Sequence, residues 1–156
     1  MINWCSDKKV GVCFSVIPRI GIRYILPTDE KEKKKSKQKY PFINKITLEV
    51  LLLDKKKNKT YEFFIPKGYC YDGASIPRFF WRLFGSNTDN KYLIAALIHD
   101  VLCENHSYID YDRAFSTQVF NSLLTVSDVN LVSKFCMKNS VDLYQKFFGN
   151  WGKKDN

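Results

Sequence analysis

Two adjacent ionisable residues, His99 and Asp100, stand in the middle of an apolar run over residues 92–106. Leu93, Ile94, Ala95, Ala96, Leu97, Ile98, Val101 and Leu102 surround them, so a helix here has no polar face at its centre and carries the pair inside. Buried ionisable groups need partners or lose their charge. Two carboxylates elsewhere in the chain are candidates. Asp72 lies in a turn among less polar residues, and Asp112 precedes Phe115 and Val119 by three and seven residues, at the head of an apolar stripe that should turn it inward. One imidazole with two or three carboxylates is a ligand set for Zn, Mn or Mg. A divalent metal at Asp72, His99, Asp100 and Asp112 would activate water for hydrolysis, with a remaining carboxylate as general base. The same residues also suit a closed network, in which His99 hydrogen-bonds one aspartate and Arg78 pairs with another.

Helical spacing puts His99 on one face with Cys103, and His106 follows seven residues on. A zinc site built on these three needs a fourth ligand such as Cys70. A buried cysteine is more commonly a small apolar side chain. Histidine-aspartate metal phosphohydrolases need further upstream histidines, and this chain has only His99 and His106. Ser75 is a nucleophile only if the fold brings it to His99; ahead of Ile76-Pro77 it reads as a helix N-cap.

The elements that must hold these side chains fall into two halves. Residues 10–16, 20–26, 46–54 and 59–65 read as strands, the last two joined by a hairpin turn in which Asn58 suits a positive φ. From Pro77 the apolar spacing becomes helical. A short aromatic helix over 79–84 is followed by helices over 92–106, 109–124 and 127–148, the last with an apolar set of Leu131, Val132, Phe135, Val141, Leu143, Tyr144 and Phe148. Strands first and helices after predict an α+β fold, a small antiparallel sheet in the N-terminal half packed with a C-terminal bundle of three to four helices.

Composition bounds the rest. At 156 residues the chain suits a single domain over 1–156, with a flexible lysine-rich loop at about 28–41. The net charge of +9 is concentrated in residues 31–39 and 55–59, with Lys153 and Lys154 behind them. A like-charge run is most often a solvated loop, so nucleic-acid binding through these lysines is not favoured. Five scattered cysteines with no paired spacing imply free thiols in a reducing compartment. No apolar run approaches the ~20 residues of a membrane span, and the N-terminus lacks the pattern of a signal peptide.

Three blocks carry a resemblance. Residues 65–78, IPKGYCYDGASIPR, then 95–100, AALIHD, then 112–115, DRAF, resemble the phage-associated domain of unknown function 1353 family over about residues 46–148. The resemblance implies site positions at Asp72, Ser75, Pro77, Arg78, His99, Asp100 and Asp112. One position departs from the family pattern. Where a tyrosine usually follows the His-Asp-x-Leu step, this chain has Cys103. The resemblance also implies a phage or prophage setting, hence a host-cytoplasmic or virion location and a phage or host protein as partner. Two functions therefore stand side by side: a metal-dependent hydrolase using Asp72, His99, Asp100 and Asp112, or a non-enzymatic virion, assembly or host-directed binding protein in which that cluster is structural.

Overall fold

The computed structural model describes residues 1–22, 42–71, 90–127 and 131–148. Its longest strands are β5 (Leu48–Asp54) and β6 (Lys59–Ile65), paired antiparallel from Leu48↔Ile65 to Asp54↔Lys59. Their period-two pattern buries Leu48, Val50 and Leu52 on one strand and Tyr61, Phe63 and Ile65 on the other, so one face of the ribbon is core. The turn between them is built by its own residues. The Asp54 carboxylate accepts from the amides of Lys56 (2.9 Å) and Lys57 (3.1 Å), and Asn58 takes the expected positive φ of 48°.

Two strands complete this sheet in the order β1-β2-β5-β6: β1 (Ile2–Ser6) at one edge and β2 (Val10–Phe14) inside it. The sequence predicts β2 but not β1. Register explains the miss: the pairing shifts between Asn3 and Cys5, so Trp4 sits in a bulge and the period-two signal is broken. A second, three-stranded sheet has the order β3-β4-β7, with β3 (Ile20–Ile22), β4 (Phe42–Asn44) and β7 (Cys70–Tyr71). The strand expected over 20–26 is described only as β3. Elements as short as β4 and β7 carry too few residues to show a period. Buried Asn44 ties this sheet to the main hairpin, donating from Nδ2 to the carbonyls of Ile46 and Pro66 and receiving the Gly68 amide at 2.8 Å on its own carbonyl.

Three helices follow: α1 (Asn90–Asn105), α2 (Arg113–Val126) and α3 (Leu131–Phe148). The fold is α+β, as the order of elements predicts. α2 lays Phe115, Val119, Phe120, Leu123 and Leu124 inward and packs on β1, β2 and α1. Tyr61 of β6 meets Phe115 and Tyr111 at ring-centroid distances of 5.1 and 5.5 Å, joining sheet to helices. Of the apolar set read on α3, four members lie outside and one inside, and the side chains of Tyr144 and Phe148 are not among those described. Val141 is buried, but Leu131 (80% exposed), Val132 (70%), Phe135 (68%) and Leu143 (56%) face solvent, while Ser133, Met137 and Gln145 take the inward positions. The lysine-rich loop and the aromatic helix expected over 79–84 lie outside the described residues. No described helix is long and apolar enough to cross a membrane.

Candidate functional site

α1 is buried on almost every side, as its sequence demands: Leu93, Ala95, Ala96, Leu97, Ile98, Val101 and Leu102 are all in the core. His99 is buried with them, at 5% exposure. Successive helix residues point about 100° apart, so His99 and Asp100 address different neighbours although they are adjacent. His99 faces α2 and α3. Its ring lies 5.2 Å from that of Phe120, and its Nε2 is 2.6 Å from Nε2 of Gln145 on α3. Nδ1 is 3.7 Å from Asp100 Oδ1. In the tautomer with its proton on Nδ1, the ring accepts from the Gln145 amide at Nε2. Cys103, one turn along, fills the remaining space, 3.7 Å from His99 Nε2 and 2.8 Å from Gln145 Nε2.

Asp100 looks toward two tyrosines of the small sheet. Tyr69 and Tyr71 stand two residues apart, so they share a face, with rings stacked at 6.5 Å and 17°. Tyr71 donates to the carbonyl of Leu93 at 3.0 Å and Tyr69 to Glu104 Oε2 at 2.7 Å. Burial pushes both phenols well above the usual tyrosine range, helped at Tyr69 by the Glu104 carboxylate and at both by the charge of Asp100. These tyrosines and Gln145 belong to the cluster and are not apparent in the sequence, whereas Glu104 is four residues along the helix from Asp100 and is expected on its face. The signals were faint. Tyr69 and Tyr71 alternate around Cys70 in a strand of two residues, and Gln145 continues the four-residue spacing of Ser133, Met137 and Val141, a row too polar to look like a core face.

The end of α1 is closed by side chains. Carbonyls in the last turn of a helix have no intrahelical partner. Here Asn105 Nδ2 donates to the Val101 carbonyl at 2.8 Å, the Tyr111 hydroxyl donates to that of Leu102, and His106 Nδ1 lies 2.7 Å from that of Cys103. His106 therefore serves the helix end rather than a zinc site with His99 and Cys103. An open groove of about 580 Å³ runs beside this end, with Glu104, His106, Tyr108 and Asp110 in its wall. Neither His99 nor Asp100 lines it.

Asp112 does not point inward. It is the N-cap of α2, accepting from the Phe115 amide at 2.8 Å, and its other oxygen is 3.0 Å from Lys57 Nζ. Its side chain is 56% exposed. The physical reason is capping: α2 starts at Arg113, and the residue before a helix turns its carboxylate back to the free amides instead of along the apolar stripe. Burial works against ionisation of Asp112, but the Phe115 amide and the Lys57 ammonium outweigh it and hold its pKa below the ordinary carboxylate value. Asp72, Ser75, Pro77 and Arg78 lie outside the described residues. Of the four-residue ligand set, the structure therefore brings together His99 and Asp100 and engages Asp112 elsewhere. Among the described residues no group of three or more His, Cys, Asp or Glu side chains is placed to hold a metal. At the imidazole, Gln145 Nε2 stands at Nε2 and the Asp100 carboxylate lies beside Nδ1.

Residues 47–141 match the family model described as "Protein of unknown function (DUF1353)". The chain belongs to that family. The matched region of the DUF1353 chain runs from the start of β5 into α3 and so contains the tyrosine pair, the His-Asp pair and the α2 cap. A stretch of 48 residues is 44% identical to "Uncharacterized protein y4jT" of Sinorhizobium fredii (strain NBRC 101917 / NGR234). That alignment covers 31% of this chain and 14% of the relative, so the chain spans only a small part of the longer protein. No solved structure matches the chain.

Proposed function

We propose that this DUF1353 chain is a non-enzymatic binding or assembly protein of phage or prophage type, and that the His99–Asp100 pair is a structural strut of its fold. One observation carries the reading. Among the described residues the His99 ring lies between Phe120 and Gln145 at 5% exposure with both nitrogens beside protein groups, which speaks against a substrate or an activated water at the imidazole. A catalytic base needs hydrogen-bond access to the proton that it moves. His99 instead joins α1 to α3 through Gln145 and to α2 through Phe120, while Asp100 acts on the tyrosines of the small-sheet side through its charge. The phage setting rests on the resemblance of the Asp72, His99 and Asp112 blocks. Virion, assembly and host-directed roles are its natural forms.

Elemental analysis of the purified protein tests the reading against the metal-dependent hydrolase. After incubation with Zn, Mn or Mg, the expected result is no stoichiometric metal in the parent, with His99→Ala and Asp100→Ala variants that are only less stable. Near-stoichiometric Zn or Mn that disappears in both variants would overturn it.

A further inference from the structure

The outward face of α3 has the composition of an interface. Leu131, Val132, Phe135 and Leu143 are all more than half exposed, and their spacing of three, four and eight residues gathers them on one side of the helix, with Asn139 in the middle. The opposite, inward side carries Ser133, Met137, Val141 and Gln145. So, among its described residues, the helix presents Leu131, Val132, Phe135 and Leu143 on the side away from the core. Together the four expose roughly 500 Å² of apolar surface, toward the upper end of the ~300–600 Å² of a monomer's largest patch, a size that is often functional.

We infer that this face pairs with the same face of a second copy, α3 running antiparallel to α3 about a two-fold axis at Asn139. The stripe is self-complementary in that sense alone. Phe135 and Leu143 stand four residues before and four residues after Asn139, about 6 Å each way along the axis at ~1.5 Å per residue. An antiparallel partner therefore sets Phe135 of each copy against Leu143 of the other, and Val132 against the aliphatic stem of Lys146, which is seven residues beyond Asn139. Asn139 meets its own counterpart, and an amide both donates and accepts, so two of them pair with no other group required. A lone polar Asn within an apolar helix seam fixes register and copy number at some expense in affinity. Two copies remove at most roughly 1,000 Å² from water, below the ~1,200 Å² at which stable pairs begin, which makes this a weak, concentration-dependent dimer. Each copy carries +9, so general repulsion opposes pairing and salt relieves it. The inference stands apart from the role given to His99: it uses no residue of that cluster.

Sedimentation velocity of the full chain from low micromolar to sub-millimolar concentration is the test, with Phe135→Asp and Asn139→Cys as variants. The expected result is a monomer–dimer equilibrium that tightens with salt, is lost in Phe135→Asp without change in circular dichroism or Tm, and becomes a covalent dimer in Asn139→Cys under mild oxidation. A parent that stays monomeric throughout, a dimer that survives Phe135→Asp, or one that weakens as salt rises would overturn the inference. So would an Asn139→Cys variant that yields no more covalent dimer than the parent.

Discussion

Replacing Gln145 tests the strut directly. Gln145 is 3% exposed, and its Nε2 is the group facing His99 Nε2 at 2.6 Å. Gln145→Met keeps the length of the side chain but withdraws that donor, leaving the imidazole Nε2 buried and unsatisfied. That costs about 1–3 kcal/mol. His99→Leu leaves the Gln145 amide with only the weak acceptor Cys103 Sγ, 2.8 Å away, at a cost nearer the low end of that range. In the double variant neither group is left unpaired, and two apolar side chains of similar shape are close to neutral, so the double costs clearly less than the sum. The coupling should reach about 1–2 kcal/mol, well outside the ~0.5 kcal/mol scatter of independent sites. Urea unfolding followed by circular dichroism at neutral pH reads all four proteins. In a chain of 156 residues, 1–3 kcal/mol corresponds to a fall in Tm of roughly 3–10 °C for each single variant. Additive single effects, or singles that unfold with the parent, would refute the claim that His99 and Gln145 satisfy each other.

Three further outcomes follow from the geometry. Asp112→Ala should cost about 1 kcal/mol through loss of the α2 cap, whereas Asp112→Asn should cost little, because Asn caps as well and the Lys57 contact is solvent-exposed; denaturant titration separates the two. Asp7 behaves like Asp112 in acid: burial raises its pKa, but the Ser122 hydroxyl, the Lys9 and Val10 amides and the Lys55 ammonium together hold it below the ordinary value. For both depressed carboxylates the unfolded chain binds more protons, so their stabilisation is complete above the unfolded pKa of about 4 and is lost as pH falls through the folded one, which a pH series of melting curves reads. In alkali the sign reverses. Tyr61, Tyr69, Tyr71 and Tyr111 all have phenols raised chiefly by burial, so the unfolded chain sheds protons first and stability declines as pH rises past about 10, with native phenolate absorbance lagging behind that of the urea-unfolded protein.

The sequence makes α1 legible because nothing in the run from Leu93 to Leu102 offers a solvent face, and the β5–β6 hairpin legible because alternation and turn chemistry agree. β1 was hidden by its bulge. Asp112 misled because two rules compete at a helix start: periodicity counts it with the stripe, but the free amides of the first turn claim its carboxylate. The lysines of the hairpin, read as a solvated charge run, are exposed and also locally paired. Lys57 pairs with Asp112, Lys59 with Asp110, and Lys55 with Ser6 and the Asp7 carbonyl, so charge that reads as a patch in sequence is partly spent within the fold. α3 shows the limit of pattern reading. Apolar periodicity says that a helix has an apolar face, but not whether that face meets its own core.

That inversion on α3 has an energetic consequence. Of its described buried side chains only Met137 and Val141 are apolar, while Ser133 and Gln145 fill the other inward positions. At about 25 cal/mol per Å² of apolar surface, the described inward side chains of α3 contribute less apolar burial than the seven apolar core residues of α1. The Gln145 contact adds specificity more than driving force, since a neutral hydrogen bond nets only about 1 kcal/mol. α3 should therefore open locally at a lower free energy than α1 in the monomer, and covering its outer face should close the gap. Hydrogen exchange measures both. In Phe135→Asp, α3 amides should exchange faster than those of α1 at every concentration; in the parent they should slow as concentration rises, while α1 stays constant. If α3 were as protected as α1 in the dilute parent and in Phe135→Asp alike, its inward face would suffice to hold it, and the exposed stripe would have lost its structural rationale.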